Sequence, residues 1–237
     1  MSAIPASLLN AATPIELLST ALSLYTPRIA IASSFSVEDV TLIHMLSLVT
    51  SPADYHVIAL DTGRLPEETY QCAEAIRNRY GIKIEWLYPD KQLVEEMLLR
   101  KGAFSFKESV ENRHECCFIR KVQPLQQRLK TLDAWITGQR REQSSSRSAL
   151  EPVEVDVSHD AIIKLNPLFA WTADDVSHYV KQNRIPYSAL YDRGYKSVGC
   201  QPCTRPVAPD EHERAGRWWW ESAEHKECGI HLAPVST

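Results

Sequence analysis

Ile29-Ala30-Ile31-Ala32-Ser33-Ser34-Phe35-Ser36-Val37-Glu38-Asp39-Val40 decides the fold. A short apolar run of strand length enters a serine-rich turn, and Val40, Ile43, Leu46 and Val49 then recur at helical spacing. The same unit returns downstream. Tyr55 to Leu60 is a second apolar run that stops at Asp61-Thr62-Gly63, and Pro66-Glu67-Glu68 opens a helical stretch to about Tyr80. Ile82 to Leu87 alternates like a strand, Asp90 to Arg100 reads as helix, and Ala134 to Thr137 is a short strand ending at Gly138. Strands alternating with helices predict an α/β fold, a mostly parallel sheet with helices on both faces. In such sheets the ligand sits beyond the carboxyl ends of the strands. Ser33, Ser34, Ser36, Asp61-Thr62-Gly63 and the stretch 138–147 are therefore expected to frame one cleft.

The expected organisation is one domain over 1–237, with an N-terminal helical extension (1–28) and a mobile C-terminal segment (207–237). Ser144-Ser145-Ser146 and Glu151-Pro152 read as a mobile or ligand-ordered loop, not a domain boundary. From about Ala189 onward Gly, Pro, Cys, Arg and Trp dominate, which predicts an irregular segment over the cleft.

Composition excludes several classes. The hydrophobic share is 44% and the charged share 24%, near the globular average, and mean hydropathy is −0.28. No apolar run reaches membrane-spanning length. Lys plus Arg number 26 against 30 acidic residues, so the net charge of −4 offers no general attraction to nucleic acid or an anionic membrane. The first Lys or Arg is Arg28, and Pro5, Pro14 and Glu16 interrupt the apolar start, so neither a secretory nor an Arg-rich transit peptide fits. A cytoplasmic location is expected. Thiols stay reduced there, so the six cysteines read as metal ligands or a nucleophile.

Cys116-Cys117 and Cys200-x-x-Cys203 are two pairs suited to closing on one metal centre. Zinc and iron–sulfur both fit a Cys-x-x-Cys pair. Two adjacent cysteines point about 100° apart on a helix, which a larger cluster accepts more easily than a single tetrahedral ion. Arg120 and Lys121 follow the first pair by one turn and would soften four thiolate charges. Cys72 lies among apolar neighbours in a predicted helix and reads as buried and inert. Cys228, in His225-Lys-Glu-Cys-Gly-Ile-His231, has two histidines and a lysine within three residues. Nearby positive charge lowers a thiol's pKa, so Cys228 reads as a nucleophile, with His231 beside it in the catalytic group. Arginines gather in 138–147 and at Arg205, Arg214 and Arg217; guanidinium groups grip phosphate or sulfate with paired hydrogen bonds. Trp218-Trp219-Trp220 reads as an anchor for the C-terminal segment.

Together these motifs resemble the thioredoxin-dependent adenylylsulfate reductases, a branch of the phosphoadenylylsulfate reductase family. The resemblance runs from about residue 29 to His231. It rests on Glu-Cys-Cys-x-Ile-Arg-Lys-Val (115–122), Gly-Gln-Arg-Arg-x-Gln-Ser (138–144), Gly-Cys-x-Pro-Cys-Thr-Arg-Pro (199–206), Gly-Arg-Trp-Trp-Trp-Glu (216–221) and Glu-Cys-Gly-Ile-His (227–231). It implies a Rossmann-like adenine nucleotide alpha hydrolase (PP-loop) fold and a 4Fe–4S cluster on Cys116, Cys117, Cys200 and Cys203. It further implies Cys228 as nucleophile and Lys121 as the link between cluster charge and substrate. Arg147, Arg214 and Arg217 match positions that hold the phosphosulfate, and Leu60 and Gly138 match the adenosine pocket; Ser33, Ser34 and Ser36 are expected on the phosphate. Family members with both cysteine pairs use adenylylsulfate, whereas those keeping only the last cysteine use the 3′-phosphorylated form. One departure stands out. The family loop commonly reads Ser-Phe-Ser-Gly-Ala before the acidic pair, whereas positions 33–37 here are Ser-Ser-Phe-Ser-Val, without the glycine.

The implied reaction is reduction of adenosine 5′-phosphosulfate to sulfite and AMP through an enzyme S-sulfocysteine, with thioredoxin or a glutaredoxin-like donor as reductant, in sulfate assimilation and cysteine biosynthesis. Phosphoadenylylsulfate as main or second substrate is the alternative, and a zinc-stabilised nucleotide-binding protein a more distant one. No nucleic-acid or membrane partner is expected. The sequence leaves a homo-oligomer open.

Overall fold

The computed structural model describes residues 4–222. Six strands form one sheet: β1 (Ile29–Ser33), β2 (His56–Leu60), β3 (Ile84–Leu87), β4 (Ala134–Ile136), β5 (Val153–Asp156) and β6 (Ile162–Leu165). Their spatial order is β3-β2-β1-β4-β6-β5. All pairings are parallel except β5 with β6. The chain steps outward from β1 to β2 and β3, then returns to lay β4 on the other side of β1. The strand order therefore reverses between β1 and β4, and a crevice opens past their carboxyl ends.

Among the described residues, eight α-helices accompany the sheet: α1 (Ala6–Leu9), α2 (Pro14–Tyr25), α3 (Val37–Val49), α4 (Glu67–Tyr80), α5 (Lys91–Lys101), α6 (Val110–Cys117), α7 (Gln123–Leu129) and α8 (Ala173–Gln182). Side chains alternate across a strand, and the alternation divides the interior in two. Ile29, Ile31, Val57, Ala59, Ala134, Ile136, Ile163 and Leu165 join one core with buried residues of α2, α3, α4 and α8. Ala30, Ile58 and Trp135 face the other way, onto Leu125 and Leu129 of α7. Helices thus cover both faces, as the alternating pattern predicts.

Local chemistry sets the helix ends. Ser36 caps α3 by accepting the Asp39 amide at 3.3 Å. Gly81, at φ 64°, closes α4 in the left-handed conformation that a glycine adopts without penalty. Thr172 and Asp175 form a reciprocal capping box at the start of α8. Helix α3 is apolar nearly all round because sheet, α2, α4 and α8 enclose it.

The sequence pattern did not anticipate the β5–β6 hairpin or α8. Each strand of the hairpin has four residues, too few for alternation to stand out from a loop. The described part of the segment from 207 onward contains no helix or strand, in keeping with its Gly/Pro-rich composition. No described helix is long and apolar enough to cross a membrane.

Leu46 is fully enclosed in the larger core, whereas Leu99 on α5 is 91% exposed. Leu46→Ala should cost about 2–5 kcal/mol and Leu99→Ala no more than about 0.5 kcal/mol. Urea unfolding of the two variants measures the difference.

Candidate active site

The loop after β1 is held by its own side chains. The Ser34 amide and hydroxyl both donate to Asp39 Oδ2, at 2.6 and 2.8 Å, and the Phe35 amide donates to Ser33 Oγ at 3.1 Å. The left-handed position falls on Phe35, at φ 57°. Ser36, which takes the place of the glycine in the family loop quoted above, is the N-cap of α3 at φ −64° and needs no such freedom. Across the crevice, a Cβ at Gly138 would stand 2.5 Å from Asp39 Oδ1 and 2.8 Å from Glu38 Cβ. Only glycine lets the end of β4 come this close to α3. Asp39 is enclosed, and burial pushes its carboxyl up to about 6 against the opposing pull of the Ser34 donors.

A cavity of about 220 Å³ occupies the crevice, and Ser33, Ser34, Ser36, Leu60, Lys121, Gly138, Arg147, Arg214 and Arg217 all line it. These nominated residues therefore reach one place, whereas Arg205, grouped with Arg214 and Arg217 in the sequence reading, does not line it. The wall at the ends of β2 and β3 is apolar, from Leu60, Trp86 and Leu87, with Leu125 of α7 beside it. The positive charge comes from other elements: Lys121 after α6, Arg147 in the 138–147 loop, and Lys196, Arg214 and Arg217 from the irregular C-terminal segment.

The arginines differ in how their charge is used. Arg140, 2% exposed, donates to Glu38 at 2.9 Å and Glu213 at 3.0 Å, and Arg205 pairs with Glu211 at 2.7 Å. Their charge is consumed within the protein. Arg217 is 7% exposed, and among the described residues its guanidinium donates to Ser197 Oγ at 3.5 Å and the Val198 carbonyl at 3.3 Å. Among the described residues no carboxylate pairs with it. A buried cation without a counterion is costly, so Arg217 is built to receive an anion.

A second, smaller cavity adjoins the first. After α6 the helix widens into a π turn, Phe118–Val122, and continues as α7. Pro124, just after it, has no amide to give the preceding turn. Cys116, Cys117, Cys200 and Cys203 line this cavity with Arg64, Arg113, Arg120, Lys121 and Trp218. Thr62 Oγ1 lies 3.2 Å from Cys200 Sγ, and Arg120 donates to the Thr62 carbonyl at 2.6 Å. Burial raises the Cys116 thiol against Arg120, and it pushes Cys203 up to about 12, with Cys200 adding to the rise. Lys121 lines both cavities.

Residues 28–206 match the phosphoadenosine phosphosulfate reductase domain model. The chain belongs to the phosphoadenosine phosphosulfate reductase family. Within that family it is 46% identical over 204 residues to the adenosine 5′-phosphosulfate reductase of Pseudomonas aeruginosa (strain LESB58), covering 84% of this chain and 75% of that one. It is 44% identical over 235 residues to a probable chloroplastic 5′-adenylylsulfate reductase 1 of rice (Oryza sativa subsp. japonica), covering 96% of this chain and 48% of the relative. The chain thus spans about half the length of its plant relatives. A solved phosphoadenylyl-sulfate reductase from Candida auris, in a phosphate complex, superposes with a TM-score of 0.71 at 26% identity, over 87% of this chain and 99% of that one.

For this family member the expected 4Fe–4S cluster is withdrawn. The four cysteines do share one cavity, but among the described residues no group of three or more His, Cys, Asp or Glu side chains could hold a metal ion. As the side chains stand, the cavity measures about 20 Å³, room for about one water. The solved Candida auris family member is described as a phosphate complex. The four cysteines are accordingly thiols, Cys117 and Cys200 buried and Cys116 and Cys203 partly so. Cys72 is also a buried thiol, pushed up to about 12 by its surroundings in α4.

Cys228 and His231 lie outside the described residues. Asp39 and Lys196 are among the cleft residues not nominated from sequence, and Gln143 was covered only as part of the 138–147 stretch. Gln143 Nε2 donates to Glu38 at 3.1 Å, and its Oε1 accepts from Arg147. Lys196 Nζ donates to the Pro209 and Glu211 carbonyls at 3.2 and 3.3 Å, tying the C-terminal segment down. Asp39 had a sequence signal in the acidic pair at the start of α3, but nothing in the sequence marks it as buried.

Burial favours the neutral form of Asp39, so the folded chain keeps this proton up to about pH 6 while the unfolded chain loses it near 3.8. The folded state binds more protons between those values, and the group's contribution to stability falls as pH rises through them. Asp39→Asn keeps an acceptor and removes the charge. It should match the parent below about pH 4 and gain on it above about pH 6, by up to roughly 3 kcal/mol at about 1.4 kcal/mol per pH unit. Urea unfolding across that range tests the sign.

Proposed function

We propose that this protein is an adenylylsulfate reductase: it converts adenosine 5′-phosphosulfate to sulfite and AMP, in assimilatory sulfate reduction, with a thioredoxin-type dithiol as electron donor. The observation that carries the reading is a cleft in which an apolar wall suited to a purine meets the buried guanidinium of Arg217, which has no carboxylate partner among the described residues. The curated relatives of P. aeruginosa and rice, named for this activity, support it.

The chemistry follows from the residues. The Cys228 thiolate attacks the sulfur of the sulfate group; an S–S bond forms, the bond from sulfur to the bridging oxygen breaks, and AMP leaves. Arg147, Arg214, Arg217 and Lys121 offset charge on the phosphosulfate and on the departing phosphate. His231 belongs to the same C-terminal motif as the nucleophile. The enzyme is left as S-sulfocysteine. A dithiol then attacks Cys228 Sγ, sulfite departs with the electron pair of the broken S–S bond, and the donor's second thiol resolves the mixed disulfide. The dithiol ends as a disulfide, which supplies the two electrons.

The resemblance in fold to a phosphoadenylyl-sulfate reductase favours one second reading, the 3′-phosphorylated nucleotide as substrate. Sulfite release from the two nucleotides, measured side by side with thioredoxin, separates them; adenylylsulfate should be preferred at least about tenfold in kcat/KM, a difference of roughly 1.4 kcal/mol. Cys228→Ser should abolish sulfite release and leave AMP binding within about twofold, while the parent protein, given adenylylsulfate without reductant, should gain about 80 Da at Cys228. Absence of that adduct would refute the covalent route.

A further inference from the structure

Trp218 is 1% exposed, yet it sits at φ 41°, a conformation that bulky side chains rarely adopt. That backbone places one indole ring under two guanidinium groups: Arg113 Cζ lies 4.7 Å from its centroid and Arg217 Cζ 4.6 Å. The two cations are treated differently. Arg113, wholly buried, is neutralised by Glu221 through bonds of 3.0 and 2.8 Å. Arg217 keeps its charge and lies against Gly199, where an added Cβ would come within 2.6 Å of Arg217 Cζ.

A carboxylate beside Arg217 would fix it equally well but would cancel the charge the cleft uses, as Glu38 and Glu213 do for Arg140. An aromatic face holds a guanidinium by its quadrupole and leaves the N–H fork free. We propose that Trp218 is the positioning residue of Arg217: its ring holds the anion-binding guanidinium in the cleft without neutralising it, and the Arg113–Glu221 pair fixes the ring from within the protein. This deepens the reading of the cleft as an adenylylsulfate site and rests on it. It gives the first tryptophan of the 218–220 run a role in binding as well as in anchoring the segment.

The test is a double-mutant cycle on the full chain, read by equilibrium dialysis of AMP and, separately, of adenosine, which lacks the phosphate. Trp218→Leu should weaken AMP about tenfold and Trp218→Phe, which keeps a smaller ring, about two- to threefold, with adenosine unchanged within about twofold. Arg217→Gln should weaken AMP by at least about tenfold, and adding either Trp218 substitution to it should cost nothing further. Losses that add in the double variant, adenosine affinity falling in step with AMP, or a phenylalanine variant as poor as the leucine one would each overturn the proposal. If the leucine variant does not fold, as judged by circular dichroism, the cycle built on Trp218→Phe decides alone. Failure of the parent protein to bind AMP would count against the proposed function itself; an additive cycle counts only against the role of Trp218.

Discussion

The buried guanidinium of Arg140 ties three distant pieces of chain together at one point. Glu38 begins α3, Arg140 belongs to the loop after β4, and Glu213 lies in the irregular segment that closes over the cleft. Removing one partner from so enclosed a set strands charge in a low-dielectric interior, at about 3–5 kcal/mol. Pairing at this point also sorts the cationic side chains. One arginine is spent on holding the frame together, so Lys121, Arg147, Arg214 and Arg217 can face the cavity on a frame that keeps its shape without a ligand.

Two compartments with different chemistry therefore share a wall. One is large and open enough for a nucleotide; the other is small and lined by four thiols. Lys121 belongs to both walls, and Arg113, Trp218 and Arg217 form a second route between them.

Much of this was legible in the sequence because it follows from periodicity and turn chemistry. Ile29 to Ala32 reads as a strand and forms one, and α4 runs from Glu67 to Tyr80 where Pro66 and Gly81 bracket it. The convergence of the serine loop with 138–147 follows from where a parallel sheet reverses its order. What stayed hidden depends on tertiary partners. Arg140 and Arg147 look alike as letters, and only the positions of Glu38 and Glu213 make one structural and leave the other on the cavity wall. The hairpin of β5 and β6 is too short to show a period. The spacing of four cysteines correctly brings them to one cavity, but it does not say what fills the space between them, and there the expected cluster was corrected.

The wide turn at Phe118–Val122 sets the rotational phase of everything before it. A π turn amounts to one residue too many in an α-helix, and each residue turns the helix by about 100°. Leu125 and Leu129 are locked onto the sheet beyond that point, so the surplus residue swings Cys116 and Cys117 round to the thiol cavity. Chain length in this stretch is thus as constrained as residue identity. Losing a single residue would preserve every side-chain type around the cysteines while steering both away from Cys200 and Cys203.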